Sequence, residues 1–137
     1  MKFVLDERLQ RDCFFLGRLE LSQLLLLNNA AVPWFILVPE VAVTELCDLD
    51  ELQHTTLMNE SRRLAEFIRQ TFVIDKLNVA AIGNVVSQLH LHVIGRRKDD
   101  YCWPDVVWGT TPPEQYELAQ VATIVAQLEQ TLEGFSP

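Results

Sequence analysis

The sequence holds 137 residues, with 11 Lys and Arg against 19 Asp and Glu, for a formal charge of −8. Hydrophobic residues make up 49% and charged residues 22%, the balance of a folded domain and not of a disordered chain. That length suits one domain spanning residues 1–137, and the negative charge excludes broad attraction to nucleic-acid strands or anionic membranes, which reward Lys and Arg.

Further exclusions follow from pattern. The opening Met1-Lys2-Phe3-Val4-Leu5 meets Asp6, Glu7 and Arg8 too soon for a secretory apolar core. The apolar stretches at 24–27 and 30–38 fall far short of the roughly 20 residues of a membrane-spanning helix. Cys13, Cys47 and Cys102 are odd in number and form no CxxC pair, so reduced thiols in a cytoplasmic protein are expected. No two of the five glycines stand at the spacing of a Walker loop or dinucleotide fingerprint, which removes glycine-rich phosphate cradles.

In chain order, residues 5–12 predict a short helix, with Leu5 and Leu9 one turn apart. Residues 13–21 and 24–27 are dense in Leu, Phe and Cys and predict strands. Asn28-Asn29 signals a turn before a strand at 35–38, which Pro39 closes for want of a ladder donor. Asp48 with Glu51 predicts a capping-box start to a long helix. Leu57, Ser61, Leu64, Ala65 and Ile68 form its inner stripe, and Arg62, Arg63, Glu66 and Arg69 face outward. Strands are predicted at 77–82 and 85–94, with Gly83-Asn84 as a hairpin turn between them. Thr111-Pro112-Pro113-Glu114 predicts the start of a last helix. Its buried stripe would be Leu118, Val121, Ala122, Val125, Leu128 and Leu132, and Gly134 would end it. The order predicts an α+β fold with a mainly antiparallel sheet, one long central helix and a C-terminal helix.

Chemistry concentrates in the second of the late strands. From Ser87 to Ile94 the residues alternate with period two, so Gln88, His90, His92, Ile94 and Arg96 share one face while Leu89, Leu91 and Val93 take the other. Two of the chain's three histidines thus stand together, about 7 Å apart by strand rise. Residue by residue, the pattern suits a polar strand face, a metal pair, a phosphate-binding or pH-sensing pair, or nucleophilic catalysis by one imidazole aided by the other. Zinc would need further ligands from His54, the cysteines or acids, and nothing local completes a set. No metal and no cofactor are expected.

The stretch Gly83-Asn84-Val85-Val86-Ser87-Gln88-Leu89-His90-Leu91-His92-Val93-Ile94 resembles the signature of the histidine triad (HIT) family of nucleotide hydrolases and transferases. That signature reads His-φ-His-φ-His-φ-φ, with φ hydrophobic, after a Gly-Gln or Gly-Asn pair. Asp75-Lys76-Leu77-Asn78, Trp103-Pro104 and the strand ending at Pro39 resemble further parts of the family. The resemblance implies a HIT-like fold, a homodimer, and attack on the α-phosphate of a small nucleotide, a dinucleoside polyphosphate or a nucleoside phosphoramidate, through a nucleotidyl-histidine. It implies His90 as nucleophile and His92 as a phosphate ligand that helps protonate the leaving group. Gln88 falls where the family has its first histidine; it could bond a backbone carbonyl or orient His90, but cannot carry a proton as imidazole does. The alternative is a non-catalytic nucleotide-binding or regulatory protein.

Charge neutralisation is expected from Arg96-Arg97-Lys98, the densest basic run, with Arg96 reaching the phosphates by strand parity. The resemblance implies phosphate contacts from Asn78 and Asn84, and ribose contacts from Asn28 or Asn29. Trp34, Trp103 and Trp108 are expected in the core, and Tyr101-Cys102-Trp103 could line an interface or the pocket rim.

Overall fold

The structure is a computed structural model that describes residues 2–137. The elements run α1 (Glu7–Asp12), β1 (Cys13–Arg18), β2 (Ser22–Leu27), β3 (Trp34–Pro39), a 3-10 turn (Leu46–Asp48), α2 (Glu51–Thr71), β4 (Lys76–Ala80), β5 (Leu91–Arg96) and α3 (Leu118–Thr131). Five antiparallel strands form one sheet in the order β1-β2-β3-β5-β4, so the strand nearest the chemistry, β5, is inserted beside β3.

Both faces of that sheet are covered, which explains why β3 and β5 are apolar almost throughout. Phe35, Leu37, Leu91 and Val93 face α2 and α3 and join Leu57, Leu64, Phe67, Ile68, Ile124 and Leu128 in one core. Trp34, Ile36, Val38 and Ile94 face the other way, into a smaller cluster with Leu9 of α1, Leu25 and Val107. Approach on the α2 side is close. A Cβ at Gly95 would come within 2.6 Å of Ile74 and 3.0 Å of Ile68, so only hydrogen fits there. Glu60, buried on α2, accepts from the backbone N–H of Leu21 and the Ser22 hydroxyl, which fixes the helix to the β1–β2 turn.

Several boundaries differ from expectation for identifiable reasons. The α2 capping box is Asp50 with Gln53, because Asp48 lies inside the 3-10 turn and Leu49 is extended. Helix α3 starts at Leu118, not near Thr111, with Glu117 and Gln120 as its box. The intervening segment is tied to the β2–β3 connection: Ala30 N–H donates to the Glu114 carbonyl and Tyr116 N–H to Asn28 Oδ1. Leu118 and Ala122 are consequently exposed, and Ile124 takes a place in the buried stripe. β1 ends at Arg18 because the Leu19 N–H turns back to the Ser22 carbonyl. No hairpin forms at Gly83-Asn84. β4 stops at Ala80, paired with His92, and residues 81–90 form a loop.

Candidate active site

His90 is the last residue of that loop and His92 the second of β5, so a loop end and a strand start together present the two imidazoles. Their ring centroids are 4.9 Å apart, closer than strand rise alone would set them. Each ring has one nitrogen engaged by a group of fixed character. Nδ1 of His90 lies 2.7 Å from the backbone carbonyl oxygen of Gln88. A carbonyl only accepts, so in the neutral ring Nδ1 carries the proton and Nε2 the lone pair. At His92 the arrangement is reversed. The Trp34 indole Nε1–H donates to Nδ1 over 2.9 Å in a buried contact. An indole N–H only donates, so the neutral His92 ring carries its proton on Nε2.

The surroundings of His92 are buried and aromatic. Trp108 meets its ring edge-on at 5.3 Å and Trp34 at 5.8 Å. Burial, and then the neighbouring His90, push its pKa down to about 3. His92 is therefore neutral here.

Both imidazoles line a cavity of about 380 Å³, together with Trp34, Ile36 and Trp108, residues of α1, and Ile82, Asn84, Val85 and Val86. His90 also borders a second cavity of about 360 Å³, formed by residues 44–47 with the loop. The cations of the first cavity are Arg8 and Arg11 of α1, with Asp12 beside them. Arg8 Nη1 donates to the Val85 carbonyl, which holds α1 against the loop.

The other residues singled out from the sequence are placed as follows. Asn84 lines the 380 Å³ cavity. The Gln88 side chain turns to the N-terminal segment, where its Oε1 accepts from Asp6 N–H and its Nε2 donates to the Val4 carbonyl, both at 2.9 Å. It does bond a backbone carbonyl, but it serves His90 through its own main-chain oxygen. Arg96 does not reach the imidazoles. Its parity is as expected, yet residues 97–105 fold back and occupy the guanidinium. Asp100 receives Nε and Nη2 at 2.7 and 3.0 Å, Asn78 Oδ1 receives Nη1 at 3.1 Å, and the Asp105 carbonyl receives Nη2 at 2.9 Å. Arg96 is 1% exposed. Burial pushes the Asp100 carboxyl up, but hydrogen bonds from Arg96, Arg97 and Cys102 outweigh it and leave it at about 2. Asn78 is thus committed to this ion pair. Arg97 pairs with Asp99 near the surface, and the Lys98 N–H is held by Asp75. Asn28 caps the Tyr116 N–H, and buried Asn29 bonds Ala31 N–H and the Tyr101 hydroxyl; neither lines the cavity. His54 is exposed on α2, and among the described residues no three His, Cys, Asp or Glu side chains converge as a metal site would require. The three cysteines are free thiols.

Sequence reasoning missed Trp34, Trp108, Arg8 and Arg11. Arg8 and Arg11 stand three apart on a helix next to an apolar residue, Leu9, which is a readable one-face signal. Nothing local marks Trp34, because its partner is chosen by the β3–β5 pairing.

The family model of the HIT domain matches residues 8–99, and the chain belongs to that family. The structure superposes closely on three solved histidine triad proteins. One from Marinobacter aquaeolei VT8 is 43% identical, with 99% of this chain and 100% of that chain covered and a TM-score of 0.92. One from Sinorhizobium meliloti 1021 is 39% identical, with 96% and 98% covered and a TM-score of 0.91. One from Bradyrhizobium japonicum is 38% identical, with 96% and 99% covered and a TM-score of 0.91. A more distant relative is the asymmetrical bis(5'-nucleosyl)-tetraphosphatase of Schizosaccharomyces pombe, 27% identical over 91 residues. That match takes in 63% of this chain but only 50% of the relative's length. The α+β architecture with its antiparallel sheet is that of the HIT fold. Among the described residues no helix is long and apolar enough to cross a membrane.

Proposed function

We propose that this chain hydrolyses or transfers a nucleotide at its α-phosphorus by way of a nucleotidyl-His90 intermediate. The observation that carries the reading is the Gln88 carbonyl on Nδ1 of His90, which leaves Nε2 as a lone pair at a cavity shared with His92. In the first step Nε2 attacks phosphorus, an N–P bond forms, and the bond to the leaving group breaks with its electron pair. In the second step water, or another acceptor, attacks phosphorus and the pair returns to Nε2. His92 donates its Nε2–H toward the phosphoryl oxygens, and Arg8 and Arg11 supply the positive charge expected from Arg96. Family membership and the tetraphosphatase relative support a nucleotide as substrate.

Incubation with an adenylate donor should add one adenylyl group to the protein, mapped by mass to His90. His90→Ala should lose the adduct and on the order of 10⁴-fold or more in turnover. Near-native turnover by that variant would overturn the reading. A second reading, a nucleotide-binding protein without turnover, is favoured by one observation: Gln88 stands where the family signature has a histidine and its side chain is engaged elsewhere. Nucleotide bound with neither adduct nor turnover would establish it. The resemblance further supports a cytoplasmic homodimer, a part of the reading that a monomer mass in sedimentation would remove.

A further inference from the structure

We infer that residues 3–8 belong to the positioning apparatus of the nucleophile. They hold the loop whose Gln88 carbonyl fixes the proton of His90, so that the segment and the imidazole change state together. The inference rests on the covalent His90 reading and adds positioning residues to it.

Residues 81–90 carry His90 to the start of β5 without a partner strand, since β4 ends at Ala80. A stretch without ladder bonds takes its place from whatever else binds it. Among the described residues, the hydrogen bonds from this loop to the rest of the chain all run to one short segment. Gln88 Oε1 accepts from Asp6 N–H, Gln88 Nε2 donates to the Val4 carbonyl, and the Val85 carbonyl accepts from Arg8 Nη1. The first two, at 2.9 Å each, pair one side chain with main chain 82 and 84 positions away. Leu89 anchors the loop in the larger core. An apolar side chain fixes where residue 89 sits, and leaves the tilt of the 88–89 peptide to the hydrogen bonds on Gln88.

The segment is itself anchored away from the loop. Phe3 and Leu5 pack against the smaller cluster, in which Leu9 of α1 is buried. The Leu5 carbonyl accepts from Gln10 Nε2 at 2.7 Å, and Asp6 caps α1 through the Arg8 N–H. Residues 3–8 therefore transmit the position of α1 and of that cluster to Gln88.

Gln88 works at both ends of this link. Its side chain takes the segment, and its main-chain oxygen takes the Nδ1 proton of His90 at 2.7 Å. That oxygen matters in two ways. In the neutral ring it keeps the lone pair on Nε2; without it nothing selects Nδ1, and the proton can settle on Nε2 instead. When Nε2 bonds to phosphorus the ring becomes cationic with its proton still on Nδ1, and the carbonyl then accepts a charge-assisted bond. A tilt of the 88–89 peptide weakens both. Val4, Asp6 and Gln88 are thus positioning residues that act through His90.

Two variants loosen the link from opposite ends. Gln88→Met keeps the length of the side chain and removes both of its hydrogen bonds. Phe3→Ala removes an apolar anchor of the segment and none of the loop's hydrogen bonds. Histidine ¹⁵N spectra of the neutral rings should show His90 protonated on Nδ1 in the wild type and divided between its two nitrogens in each variant. Adduct formation from saturating diadenosine tetraphosphate should slow by about tenfold to 10²-fold, the cost of a misplaced reacting group, with KM changed less than kcat. A folded Phe3→Ala with the wild-type His90 spectrum and adduct rate overturns the inference. So does a rise in KM alone, with kcat and the spectrum unmoved, which would make the segment only a wall of the cavity. If either variant does not fold, the other decides. A wild type with neither adduct nor turnover tells against the covalent reading, and the ¹⁵N comparison then decides the link between the segment and His90 on its own.

Discussion

A histidine in an unfolded chain takes up a proton near pH 6.5, whereas His92 in the fold is pushed down to about 3 by burial and by His90. Between those values the unfolded state binds the more protons, so stability rises with pH. The stability that depends on neutral His92 is complete above about pH 6.5 and is lost as the pH falls toward 3, with a slope of up to ~1.4 kcal/mol per pH unit. Asp100, held at about 2 against its ordinary 3.8, adds to the loss only at the acid end of that range. Urea unfolding of the wild type at pH 7, 6 and 5 should show the slope, and His92→Gln should be nearly flat over the same interval. At this scale the sequence already brought the two imidazoles together, because period-two alternation puts His90 and His92 on one face without any knowledge of the fold. The protonation of each ring was hidden. It depends on a main-chain oxygen freed by an irregular loop and on an indole from another strand.

Helix α1 is six residues long, too short to persist by its own propensity. It is held over the cavity by the Asp6 cap, the Arg8 bond to Val85, and the paired bonds of Gln88 to Val4 and Asp6. Gln88→Ala should cost about 1–2 kcal/mol for two lost hydrogen bonds. Amide exchange should then quicken across residues 4–12 while β5 stays protected. Equal loosening of both segments would show that Gln88 does not act as a clamp. The elements most legible from sequence were those whose signal is internal: the α2 stripe repeats over about three turns from Leu57 to Ile68, and β3 is continuously apolar up to its proline. The 83–84 hairpin failed because Gly-Asn is a local signal, and it lost to tertiary bonds that draw residues 85–88 toward α1. The early start for α3 failed in the same way, since the proline segment is held by Asn28 and the backbone of Ala30.

Across the whole molecule, the charge of −8 leaves little long-range attraction for a phosphate ligand, so affinity must come from cations inside the cavity. Replacing Arg8 or Arg11 by Gln should raise KM for an anhydride substrate about tenfold each, the size of one charge-assisted hydrogen bond. Reversed roles, with Arg97→Gln and Lys98→Gln weakening binding and the α1 variants neutral, would return the phosphate site to the basic run after β5. From sequence that run was the natural choice because it is the densest. The fold shows that its first member is held in a buried ion pair and the other two are turned outward. The class of fold was readable at this scale because strands, helix, strands and helix follow one another in order. The insertion of β5 next to β3 was not, since no local pattern encodes which strands become neighbours.

The bond from Trp34 to His92 joins residues 58 apart in the chain, and it exists only once β3 and β5 lie side by side. Contacts of such separation carry a high closure entropy and tend to be made late in folding. Chains stalled with only β1, β2 and β3 assembled would hold both histidines but no indole on His92 to fix its proton. The protonation that the proposed chemistry asks of His92 is then a property of the completed sheet, and a nascent or partly opened molecule lacks it.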